Sequence, residues 1–163
     1  MDMDDFYNIS SCIEVTTYYD YKKEQEEFNK AVDYFGEFYI TYNDKCLTSA
    51  GDEDIFLDDI DNSNLFQKWN LYLLKNSENT FIIKNCRSGR LLSNNLYIIS
   101  CYKKWFKNRH EFCFKLEFTV NNSSDEINQN SYIQNIDGNY FFVKGNSIQS
   151  NKFLKSLFKF VSK

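Results

Sequence analysis

The spacing of apolar positions changes along this chain, and each change marks a different element. Residues 11–19, Ser-Cys-Ile-Glu-Val-Thr-Thr-Tyr-Tyr, alternate Ile13, Val15 and Thr17 with more polar neighbours, which predicts a strand. From Lys22 to Phe35 the period lengthens: Phe28, Val32 and Phe35 fall at i, i+4 and i+7 among Lys, Glu and Gln. That spacing predicts one stripe of a short helix ended near Gly36. Beyond Gly36 the chain becomes a series of short β-rich runs separated by Asn, Asp, Ser and Gly, so the expected class is all-β.

The β-rich part repeats. Gln67-Lys68-Trp69-Asn70-Leu71, Phe112-Cys113-Phe114-Lys115-Leu116 and Ser156-Leu157-Phe158-Lys159-Phe160 each set a large aromatic two residues before another apolar residue. The aromatics Trp69, Phe114 and Phe158 lie 45 and 44 residues apart. Upstream of each is a hairpin pattern. Phe38–Ile40 precedes a turn at Asn43-Asp44 and then Cys46-Leu47. Phe81–Ile83 precedes a turn at Ser88-Gly89 and then Leu91-Leu92. Tyr132-Ile133 precedes a turn at Asp137-Gly138 and then Tyr140–Phe142. Gly, Asn and Asp at such corners supply the positive φ that tight hairpins require. A third strand follows in each case, at Ile55–Leu57, Leu96–Ile99 and Ser147–Gln149, giving repeats of about 37–78, 79–127 and 128–163 after an extension at 1–36.

Three repeats of this length, each closing on a Gln-x-Trp-like element, resemble the β-trefoil superfamily, and Gln67-Lys68-Trp69 with Leu71 resembles its ricin B-type branch. The resemblance covers 127 of the 163 residues. It implies a β-trefoil of three four-strand repeats with an N-terminal strand and helix added, and it makes Trp69, Phe114 and Phe158 structural core. It also implies where a sugar would bind, beside an Asp just after the second strand of a repeat. The matching positions are Thr48, Ser93 and Val143, and none is an Asp. A sugar's adjacent hydroxyls would lose their paired acceptor there.

Composition narrows the chemistry. Aromatics make 18% of the chain, with 12 Tyr and 16 Phe, enough to build a core. No apolar run approaches the roughly 20 residues of a membrane helix, and the acidic opening Met1-Asp2-Met3-Asp4-Asp5 does not read as a leader, so a cytoplasmic protein without membrane partners is expected. The five cysteines are odd in number and form no C-x-x-C, which argues for buried thiols and against a disulfide framework or structural zinc. Cys101 and Cys113 are the pair that could face each other across a hairpin. His110 is the one histidine and stands among bases, and no phosphate-binding glycine loop is present, so an enzyme and a cofactor are not expected. The acidic run Asp52–Asp61 lacks the spacing of an EF-hand loop and reads as solvated.

Charge is divided unevenly. Residues 1–66 hold 17 acids and 4 bases and residues 67–163 hold 6 and 15, which gives −13 and +9. The halves either attract each other within one fold or present a surface to an anionic partner. The richest candidate is Tyr102–His110, between the third and fourth strands of the second repeat. Lys103, Lys104, Lys107, Arg109 and His110 surround Trp105 and Phe106, with Arg87 and Arg90 of the same repeat as extensions of the patch. Base and aromatic together suit a protein or ribonucleoprotein partner, or a nucleic acid through this local patch alone. The same residues also suit a hairpin whose Trp and Phe fold back onto the sheet while the bases stay wet. The functional expectation is a non-catalytic binding module. A glycan-binding lectin-like module and a protease inhibitor are the alternatives.

Overall fold

The computed structural model describes residues 18–49, 54–96, 98–99, 102–118 and 128–162, and among these the architecture is predominantly antiparallel β with two α-helices. Helix α1 spans Tyr18–Ala31, and the strands that follow are β1 (Val32–Tyr42), β2 (Lys45–Ser49), β3 (Ile55–Asp59) and β4 (Lys68–Leu74). Then come β5 (Thr80–Asn85), β6 (Leu91-Leu92), β7 (Ile98-Ile99), helix α2 (Tyr102–Lys107) and β8 (Phe114–Leu116). The chain ends with β9 (Asn128–Ser131), β10 (Ile133–Asn135), β11 (Tyr140–Lys144), β12 (Ser147–Asn151) and β13 (Phe158–Ser162).

The pairings fall into one scheme. β1 pairs β4, β13 and β2, while β5 pairs β8, β4 and β6. β9 pairs β13, and β10, one residue further on, pairs β8 and β11. The second and third strands of each sequence repeat pair as β2–β3, β6–β7 and β11–β12. The hairpin corners are where the turn residues predict them: Asn43 and Asp44 hold φ of 48° and 62°, Gly89 holds 70° and Gly138 holds 91°.

Period-two alternation sends one face of these strands into a single core. Trp69, Phe114 and Phe158 are all buried, as is the apolar residue two positions after each, Leu71, Leu116 and Phe160. Ile40, Ile83 and Ile133 stand opposite Phe160, Leu71 and Leu116 in register, and all six belong to that core. Leu47, Leu92 and Phe141 from the second strands pack on it too.

Two expectations require correction. The strand expected at residues 11–19 falls mostly outside the described residues, and its last two, Tyr18 and Tyr19, open α1 instead. The helix expected over Lys22–Phe35 ends at Ala31, and Val32 begins β1. The apolar spacing fits either element, and cross-strand pairing decides: Val32, Asp33 and Tyr34 lie opposite Leu74, Leu73 and Tyr72. Gly36 follows a register shift in that ladder rather than capping a helix. A Cβ at Gly36 would stand 3.0 Å from the Phe38 ring, so the glycine permits the close packing there.

The Gln-x-Trp element is a junction of hydrogen bonds. Gln67 is 1% exposed; its Nε2 donates to the Asp59 carbonyl at 2.7 Å and to Thr48 Oγ1 at 3.2 Å, and its Oε1 accepts from the Asp61 N–H at 2.8 Å. The Trp69 indole donates to the Leu47 carbonyl at 2.9 Å. Removing the amide would leave buried backbone groups unpaired. Gln67→Ala is expected to lower stability by about 1–3 kcal/mol; chemical denaturation measures it, and a change within error would mean that water takes over these bonds.

Candidate functional site

The basic-aromatic segment singled out by sequence is mostly interior. Tyr102 and Trp105, separated by three residues on α2, share one side of a short helix, and they are 1% and 0% exposed. They meet the apolar stripe of α1, where Tyr21 and Phe28 are i, i+7 neighbours. Phe28 lies 5.1 Å from both the Tyr102 and Trp105 rings, and Tyr21 lies 5.5 Å from Tyr102. This aromatic cluster covers the outward face of β5 and β6 at Ile82 and Leu91, forming a second core with Val32, Phe112 and Cys113. Trp105 is thus a packing residue and does not present a free face to a partner.

The rest of the segment divides. Phe106 is at the edge of exposure and Lys107, Arg109 and His110 are exposed. The Arg109 guanidinium lies 4.2 Å from the Trp105 ring centre and 5.9 Å from that of Phe106, so it roofs the indole while its charge stays wet. His110 Nε2 sits 2.8 Å from Asp137 Oδ1, an exposed contact that links this turn to the β10–β11 corner. Lys103 and Lys104 lie on α2, and their side chains are outside the described set. Arg87, exposed, and Arg90, half-buried, occupy the turn between β5 and β6.

The positions where the lectin resemblance would need an acid hold internal ties instead. Thr48 Oγ1 donates to the Cys46 carbonyl and accepts from Gln67. Ser93 donates to Glu111 Oε1 at 3.0 Å, and the Val143 N–H donates to Ser156 Oγ at 2.9 Å. In each case the residue, or its backbone, is bound to the stretch leading into Trp69, Phe114 or Phe158, and Thr48 and Val143 lie within β2 and β11 rather than after them. Thr48 and Ser93 are also buried.

A different surface was not recognised from sequence. In the sequence the lysines Lys152, Lys155, Lys159 and Lys163 interleave with Phe153, Leu157 and Phe160 and read as the solvent face of the last strand, yet β13 begins only at Phe158. Residues 152–157 form a loop that exposes Phe153 (87%), Leu154 (57%) and Leu157 (47%). Asn151 fixes its start: its Oδ1 accepts from the Phe153 and Leu154 N–H groups at 2.7 and 3.1 Å, an Asx turn that aims both side chains outward. Beside it, the Lys155 ammonium lies 4.6 Å from the Tyr132 ring centre and 5.1 Å from that of Tyr140. The signal available in the sequence was Asn151 followed by three large apolar residues among lysines, and the high asparagine content masked it.

Comparison with protein-family models and with curated proteins finds no match to this chain. Among the described residues, no group of three or more His, Cys, Asp and Glu could hold a metal ion, and no helix is long and apolar enough to cross a membrane.

Cys46 and Cys113 are buried free thiols, and Cys101 lies outside the described residues. Burial pushes the Cys46 and Cys113 thiols up to about 11. Both should therefore resist alkylation at pH 8 until the chain unfolds, as read by mass spectrometry of digested peptides. Because the folded state holds these protons more tightly, stability should fall as pH rises from about the ordinary thiol value toward 11.

The α1–α2 cluster yields a sharper expectation. Phe28→Ala and Trp105→Ala should each cost about 3–5 kcal/mol. The Trp105 Nε1 is buried without a protein hydrogen-bond partner, so Trp105→Phe deletes an unsatisfied donor and should stay within about 1 kcal/mol of the parent. Urea unfolding of the three variants decides; a silent Trp105→Ala would place the indole outside the core.

Proposed function

We propose that the chain is a β-trefoil of the ricin B-type branch that serves as a non-catalytic binding module in the cytoplasm, recognising a protein or ribonucleoprotein partner through exposed loops. The fold reading draws support from the pairing scheme. Each first strand meets its own fourth strand, the preceding fourth strand and its own second strand, and β9 runs into β10 across the single residue Tyr132. That continuity would close six strands into a ring around Trp69, Phe114 and Phe158. A ring filled by side chains leaves function to its loops.

The observation that carries the binding reading is the Asn151–Leu157 loop. Three large apolar side chains are exposed there, Phe153 and Leu154 on an Asx turn and Leu157 beyond it, and such a patch beside lysines marks an interaction site. Carbohydrate recognition at the positions the family would use is disfavoured, because Thr48 and Ser93 are buried and tied internally.

The test is affinity capture of the tagged chain from its native lysate, with and without ribonuclease, against a Phe153→Ser/Leu154→Ser variant. The variant should lose a specific partner at least tenfold while its melting temperature stays within a few degrees, since both side chains are exposed. Equal capture by the variant would remove this loop from the binding surface, and release of glycoproteins by free sugar would favour the lectin reading.

A further inference from the structure

We infer that the exposed loop docks on a second copy of this chain, head to tail, resting on the reading of Asn151–Leu157 as a binding surface. The receiving site is a groove of about 350 Å³ lined by Tyr39, Thr41, Ile60, Asn62, Val161 and Ser162. Its walls are largely apolar, and Ile60 stands 48% exposed at its edge. The Tyr39 hydroxyl at the groove is buried without a protein hydrogen-bond partner. The space suits one large apolar side chain with its neighbours, and Phe153 with Leu154 is such a group.

Charge selects the partner. Residues 138–163 contain five lysines and no acid, whereas residues 52–61 contain six acids and no base. Ile60 is flanked by Asp58, Asp59 and Asp61. Lys45 pairs with Asp59 at 2.7 Å, which leaves Asp58 and Asp61 without an ion pair among the described residues. Lys159 stands opposite Thr41 in the β1–β13 ladder, so the charge that favours a basic loop is that of the Ile60 edge. The incoming loop therefore lies with Lys152 and Lys155 toward Asp58 and Asp61.

Topology makes the contact intermolecular. The loop immediately precedes β13 and the groove lies at its last residues, Val161 and Ser162. The four residue steps from Leu157 to Val161 span about 13 Å, and β13 is held in register by β1 and β9. A loop fixed at the start of this strand is thereby kept from Val161 and Ser162 of its own chain. Two different patches in contact form a heterologous interface, which adds copies one after another. A contact of this size is weak, concentration-dependent and screened by salt.

Sedimentation of the full chain up to about 1 mM tests this, the range a weak contact demands. The mass should rise with concentration above the 19.5 kDa of one chain, less so at high salt. Phe153→Asp alone and Ile60→Lys alone should each remain single chains with unchanged melting temperature. Their equimolar mixture should form two-chain complexes and nothing larger, because one intact loop meets one intact groove. A parent chain that stays at the mass of one copy overturns the inference, as does a mixture that fails to associate when the parent does. Binding of a single-copy parent to phosphatidylserine vesicles, lost with Phe153→Asp, would assign the loop to a lipid surface and overturn it likewise. If the parent does not associate but the loop variant still loses its lysate partner, the proposed function stands and this inference alone fails.

Discussion

Strand β5 has no polar face at its centre, and much of the molecule follows from that. Phe81, Ile82 and Ile83 are consecutive and all nearly inaccessible. Since successive side chains point to opposite sides of a strand, Phe81 and Ile83 enter the main core while Ile82 points outward and must be covered. The cover is the aromatic contact of Phe28 with Tyr102 and Trp105. Burying three such rings supplies several kcal/mol at about 25 cal/mol per Å², which is enough to hold a largely polar helix such as α1 against the sheet. The extension at the start of the chain and the basic-aromatic segment of the second repeat are therefore halves of one structural device.

The core of this arrangement is legible in the sequence because it rests on local rules. Asn43-Asp44, Gly89 and Gly138 sit at tight corners for reasons of φ alone. The even spacing of Trp69, Phe114 and Phe158 reports three buried positions, and all three are buried. What pattern reading does not resolve is competition between elements. Phe28, Val32 and Phe35 satisfy a helical stripe, but Val32 gains a ladder partner in Leu74 and leaves the helix. The consecutive apolar run Phe81-Ile82-Ile83 did carry a sign of two-sided burial. Its partner, Trp105, is more than twenty residues away, and no local rule connects them.

The exposed loop escaped for the opposite reason. Lys152, Lys155 and Lys159 interleave with Phe153 and Leu157 as the solvent face of a last strand would, but the Asn151 side chain turns the chain at Phe153 and Leu154. By occupying the Phe153 and Leu154 N–H groups, Asn151 removes the donors a ladder would use. A single Asx turn thereby converts what reads as a solvent face of a strand into an outward apolar tip.

Set side by side, the three links between third and fourth strands separate framework from surface. In the first, residues 60–67, the Gln67 side chain binds the Asp59 carbonyl and the Asp61 N–H and closes the link on itself. In the second, α2 and the turn after it are taken up by the core beneath α1. In the third, residues 152–157, Ser156 ties the base of the link to Val143 while Phe153 is left almost bare and Leu154 and Leu157 half-covered. The same slot thus performs hydrogen-bonded closure, packing and exposure in turn. An apolar tip costs solvation in the free chain and gives no packing in return, so of the three links it is the one whose chemistry the fold itself does not use.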